Sequence, residues 1–212
     1  MVCFFFMMLF WATGFSQTND IIFSHQQYFI SEPVPPSVQT RMYGKSLPEN
    51  AKISIDDLRY LTLPYYDYNG NIQIGEMVCH KDIARDLLLI FCELFRLKYP
   101  IQSIRLVDDF NASDDASMMA NNTSCFNYRN IKGTNRLSQH AFGRAVDVNP
   151  LQNPWVRPHH IDPPTAIDYV DRKRNFPHKI DHHDICYRAF KAKGFTWGGE
   201  WNGSKDYQHF QR

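Results

Sequence analysis

The chain carries almost no net charge: 23 basic side chains against 22 acidic ones leave +1 over 212 residues, with nine histidines counted as neutral. That balance excludes a broadly basic nucleic-acid binder and makes an anionic membrane surface a poor partner. No apolar run reaches the ~20 residues that a membrane-spanning helix needs. C-x-x-C is absent, which argues against a zinc site built from cysteines. No cysteine closely follows the opening apolar run, so a bacterial lipid anchor is not indicated. There is no internal repeat and no low-complexity tract. Cysteine is scarce. Cys3 lies in the opening segment, and Cys79, Cys92, Cys125 and Cys186 read as small buried hydrophobes, with a disulfide as the alternative in an exported protein.

What is present suits one domain. Hydrophobic residues make up 43% of the chain and aromatics 15%, enough to build a core at this length. The opening MVCFFFMMLFWATGF is apolar to Phe15 at most and ends at Ser16-Gln17-Thr18-Asn19-Asp20. It fits a secretory core of ~7–15 residues, although no Lys or Arg precedes it. A signal peptide over 1–16 is therefore expected. The mature chain would be secreted or periplasmic, with no stable membrane insertion. Residues 17–52, with Pro33, Pro35 and Pro36, read as an irregular lead-in. The domain proper is expected over 53–212.

Within it, Leu58–Tyr66 reads as a strand joined through Asn69-Gly70 to IQIGEMV in a hairpin. Ile83, Leu87, Leu88, Ile90, Phe91, Leu94 and Phe95 recur at helical spacing over 80–97, and Pro100 stops the run. Residues 101–107 read as a strand, 114–120 as a short helix, and 184–193 as a helix closed by Gly194. The Pro-, His- and Arg-rich stretch 150–177 has no period and reads as a long loop.

Two clusters can carry chemistry. SQHAFGRAVDVNP holds Ser138, His140, Gly143 and Asp147, and the terminal DYQHF holds Asp206 and His209. Two imidazoles and a carboxylate suffice for a catalytic zinc, which keeps a fourth position open. His140 and Asp147 are seven apart, so a straight strand would point them to opposite faces. Gly143 can bend the chain at low steric cost, placing His140 on a turn or short helix and Asp147 on the strand after it. Asp206, three residues before His209, is placed to serve the attacking water as a base. Histidines 159, 160, 178, 182 and 183 form a second His-rich stretch, but Pro177 argues against a helix there, and they read as solvent-facing.

The pattern Ser138-x-His140-x-x-Gly143-x-Ala145-x-Asp147, with D-x-x-H after Trp197-Gly-Gly, resembles the zinc D-alanyl-D-alanine carboxypeptidases. This is the VanY-like group of peptidoglycan peptidases, whose fold is shared with the Hedgehog signalling domain. SMMANNTSCFNYR (117–129), DVNPLQNPW (147–155) and GFTWGGEW (194–201) extend the likeness over roughly residues 40–212. The resemblance implies an α+β fold of Hedgehog/DD-peptidase type: a small, mainly antiparallel sheet, helices on one face, and the metal in a cleft on the other. It implies one zinc per chain, held by His140, Asp147 and His209, with Asp206 as general base. Ser138 and Trp197 fall near the substrate. Arg129 is the candidate to hold the oxyanion or a substrate carboxylate, with Arg105 and Arg136 as rivals. The implied partner is a peptidoglycan peptide. The bond is D-alanyl-D-alanine or, in the same chemistry, L-alanyl-D-glutamate. A zinc-bearing binding module without turnover is the reading from another class. Oligomeric state is not readable from the sequence.

Overall fold

The computed structural model describes residues 28–212. The signal peptide expected over 1–16 and the first part of the lead-in lie outside the described residues.

The rest of the lead-in is not irregular. It forms strand β1 (Ile30–Pro33) and helix α1 (Pro36–Met42). The prolines permit both, because β1 is an edge strand and Pro36 stands at the start of the helix, where its missing N–H has no intrahelical acceptor. Val38 and Met42, one turn apart, face inward and pack with Val34, Leu47, Leu58, Val78 and Phe126.

The expected hairpin forms between β2 (Leu58–Tyr66) and β3 (Ile72–His80), in register from Leu58↔His80 to Tyr66↔Ile72. Asp67 Oδ1 closes the turn by accepting from the Asn69 and Asn71 N–H groups, each at 2.9 Å. Helix α2 (Lys81–Arg96) follows directly, its N-terminus capped by the His80 ring, which accepts from Asp82 N–H. Its apolar stripe, Ile83, Leu87, Ile90, Phe91 and Leu94, is buried against Leu61, Leu63 and Met77 of the hairpin.

The strand expected over 101–107 shrinks to β4 (Ser103–Ile104). A side chain replaces the ladder beyond it: Asn122 Oδ1 accepts from Arg105 N–H, and Asn122 Nδ2 donates to Arg105 O. After α3 (Asp114–Met119) comes β5 (Asn122–Thr123), parallel to β4. Next is β6 (Ala145–Asp147). The stretch read as one long loop contains a hairpin, β7 (Trp155–Arg157) and β8 (His160–Asp162), and a 3-10 turn at Pro164–Tyr169. Helix α4 (Ile185–Ala192) starts at the Asp184 cap and is closed by Gly194 at φ +79°. Strands β9 (Thr196–Trp197), β10 (Lys205–Asp206) and β11 (His209–Gln211) complete the chain.

The architecture is α+β with small antiparallel sheets. Instead of the single sheet expected, three three-stranded sheets form, in the orders β1-β2-β3, β6-β11-β9 and β10-β7-β8. Helix α2 packs on β2 and against α4. The second sheet joins the same core through Phe210, which stacks on Phe190 with ring centres 4.3 Å apart. Cys79, Cys125 and Cys186 are buried thiols within that core. No helix among the described residues is long and apolar enough to cross a membrane.

Candidate metal centre and cleft

Ser138 opens a 3-10 turn, Gln139–Phe142, by accepting from His140 N–H. Gly143 then turns the chain at φ +63°, and a side chain there would collide with the His80 backbone nitrogen 2.6 Å away. Glycine is therefore required twice, for the left-handed backbone and for contact with the start of α2. The turn puts His140 beside β6, whose Asp147 pairs with His209 of β11 across the ladder.

Three buried side chains converge. His140 Nε2 lies 3.2 Å from His209 Nδ1 and 3.2 Å from Asp147 Oδ2, and His209 Nδ1 lies 3.0 Å from Asp147 Oδ1. The outer nitrogens fix the tautomers. His140 Nδ1 is 2.6 Å from the Cys125 carbonyl, which can only accept, so Nδ1 carries the proton. His209 Nε2 is 2.9 Å from Gln211 Oε1, which likewise asks for a donor. Both inner nitrogens then present lone pairs to each other and to a carboxylate. Three acceptors facing one another within 4.8 Å, with no proton between them, fit a cation. Two imidazoles and one carboxylate are a donor set that suits zinc.

A cleft of about 450 Å³ opens over this centre. That is the size of a small-ligand site. Asp206 lines it, from a strand paired to β7 in the register Asp206↔Trp155. Gly198 packs against Asp206: a Cβ at 198 would come within 2.5 Å of Asp206 O and 2.7 Å of its Cβ. Burial pushes the Asp206 carboxyl up to about 8. The Asp147 charge adds to the rise and Arg129 opposes it. Its Oδ1 has no hydrogen-bond partner, nor do the buried Arg129 Nε, Trp155 Nε1 and Gln208 Oε1, all on lining residues. Each such group costs ~1–3 kcal/mol when left unpaired. A cleft that collects them is built to receive polar atoms.

Ser138, Asp206 and Arg129 line the cleft. Arg129 Nη2 is held 2.9 Å from Asp114 Oδ2. Of its rivals, Arg136 also lines the cleft, whereas Arg105 pairs with Asp109 and stacks on Phe110. Trp197 is a correction. It is buried in the core, and its Nε1 donates to Tyr207 O at 2.9 Å. Trp201, four residues on, lines the cleft instead, with its ring 5.1 Å from that of His209. His178 is a second correction: it is half-buried and stacks on Tyr68, while His159, His160, His182 and His183 are exposed. Sequence reasoning missed Arg172. Its guanidinium donates to Gln152 O, Asn153 Oδ1 and Ile180 O and covers the Tyr207 ring at 4.2 Å. It thus ties the 150–180 segment to the strand region that carries Asp206 and His209. An arginine in a Pro-rich stretch gives no sign of this.

Residues 132–212 match the family model described as D-alanyl-D-alanine carboxypeptidase. The match supports the resemblance read from the sequence over this segment. It spans His140, Asp147, Asp206 and His209, while Arg129 falls just outside it. No curated protein and no solved structure matches the chain.

Proposed function

We propose that the chain is a zinc-dependent peptidase acting on peptidoglycan stem peptides, and that it removes the last residue from a D-alanyl-D-alanine end. The observation that carries this reading is the convergence of His140 Nε2, His209 Nδ1 and an Asp147 oxygen below a cleft lined by an unspent carboxylate. One zinc would be held by those three groups. When bound, it polarises the scissile carbonyl and brings the pKa of water down to ~7. The charge of a bound ion would offset the burial that raises Asp206 and hold it as a carboxylate, able to take a proton from the attacking water, whose oxygen joins the carbonyl carbon. As the C–N bond breaks, Asp206 hands that proton to the departing amine. Arg129 holds the oxygen on which negative charge develops. Ser138 fixes the turn that presents His140.

The same reading takes the domain to be of Hedgehog/DD-peptidase type and its place of action to be outside the cytoplasm, secreted or periplasmic. A binding module without turnover would have no use for Asp206, whose placement in the cleft favours catalysis.

The test is hydrolysis of a synthetic peptide ending in D-Ala-D-Ala, with and without chelator. Zinc-dependent release of D-alanine is expected. Asp206→Ala should retain the metal yet turn over ~10²-fold more slowly or worse. Activity that survives complete metal removal refutes the mechanism. Fragments of purified peptidoglycan cut between L-alanine and D-glutamate would move the substrate to the endopeptidase alternative.

A further inference from the structure

Among the unpartnered buried atoms on the cleft, two accept hydrogen bonds: Asp206 Oδ1 and Gln208 Oε1. Asp206 has a use in the reaction set out above. Gln208 has none, although it stands in the chain between that base and His209. Its side chain is buried at 1% exposure and lines the same cleft.

The amide is held in one orientation. Tyr207 N–H donates to Pro154 O at 3.3 Å and Val148 N–H donates to Gln208 O at 3.0 Å, so the bend before His209 is tied on both sides. Gln208 Nε2 donates to Met118 Sδ at 3.6 Å. A thioether sulfur has no proton to give, so the amide nitrogen faces Met118 and Oε1 is left without a donor. A buried acceptor without a donor destabilises the fold, and an apolar side chain of similar shape would remove that cost. An atom of this kind kept on the wall of a cleft calls for a donor that arrives with the ligand.

We propose that Gln208 Oε1 accepts a hydrogen bond from a main-chain N–H of the bound peptide, the N–H of the residue whose carbonyl is cleaved. This rests on the peptidase reading above. The scissile nitrogen receives its proton from Asp206, so the nearby acceptor is free for the amide before it. The contact fixes the acyl part of the peptide and selects an amide over an ester at that position. An ester oxygen in place of the N–H has no proton to offer and sets two acceptors against each other.

The experiment uses the zinc-loaded full chain and two peptides ending in D-Ala-D-Ala. The amide before the scissile bond is kept in one and replaced by an ester in the other, and release of D-alanine is followed. The wild-type chain should favour the all-amide peptide ~10-fold or more in kcat/KM, chiefly through KM. Gln208→Met, similar in length but without the acceptor, should cut the all-amide peptide ~10-fold less efficiently and prefer neither peptide. It should still hold one zinc per chain and melt no lower than the wild type. Gln208→Leu serves the same comparison if Gln208→Met fails to fold. A wild-type chain indifferent to the ester overturns the contact but leaves the peptidase reading intact. An ester penalty that is the same in wild type and variant does so too, and a lowered melting temperature beside it would make Gln208 a support of the fold. A wild-type chain inert on both peptides overturns the peptidase reading, and the contact with it.

Discussion

His140 and His209 each turn toward the cleft the ring nitrogen that a hydrogen bond on the opposite side leaves unprotonated. For His140 that bond goes to a main-chain carbonyl, which no substitution removes. For His209 it goes to the Gln211 side chain, which can be removed. Gln211→Ala should therefore lower zinc affinity by roughly 10- to 100-fold, as loss of an orienting partner does. Competition against a chromophoric chelator measures it, and an unchanged affinity would show that His209 keeps its tautomer without help. At this scale much was legible. His140, Asp147 and His209 belong to a spaced pattern whose chemistry is readable, and Gly143 carried the geometric argument that brought two of them to one place. Trp197 and Trp201 were not separable. Both are large indoles beside a Gly-Gly turn, and only burial, which depends on Phe210 and Tyr207 arriving from elsewhere in the chain, sends one inward.

Elements position the candidate base. Asp206 is held by β10 against β7 on one side and by the bare Gly198 backbone on the other. Gly198→Ala brings a methyl group within 2.5 Å of the Asp206 carbonyl oxygen and must push the strand away. A displacement near 1 Å costs ~10²-fold in rate, so hydrolysis should fall by about that much. The metal, bound by other residues, should stay at one per chain by elemental analysis. Full activity in Gly198→Ala would mean that the strand yields freely. Long elements were read well because their patterns have room to repeat: the β2–β3 hairpin spans nine residues a side and α2 sixteen. The two- and three-residue strands β4, β5, β7 and β8 have no period to display. Side chains hold them instead, Asn122 in one case and Asp162 in the other. The proline-rich lead-in misled for a related reason, since the rule against proline spares edge strands and first helical turns.

Across the whole molecule the stability should respond to pH through the cap of α4. Burial pushes the Asp184 carboxyl from 3.8 up to about 6, more than the Cys186 and Tyr187 N–H groups bring it down. A folded-state value above the unfolded one means that the native chain keeps a proton which the unfolded chain gives up. Stability is then lost as pH rises between those two values, and the penalty is complete above the higher one. Asp184→Asn preserves a capping oxygen and removes the charge. Its melting temperature should exceed that of the wild type at pH 7, and the gap should close as pH falls toward 4. A gap that stays constant across the range would show that Asp184 is not responsible. The fold class was legible at this scale, but the division into several small sheets was not, because pairings such as β6 with β11 join segments far apart in the chain.

That last pairing also makes the protein its own folding gauge. Asp147 and His209 lie 62 positions apart, and only a finished β6–β11 ladder sets them face to face. A partly folded chain would own every ligand and still bind weakly. During refolding with cobalt(II), the colour of the bound ion would emerge together with the ladder, reporting a long-range pairing rather than a local one.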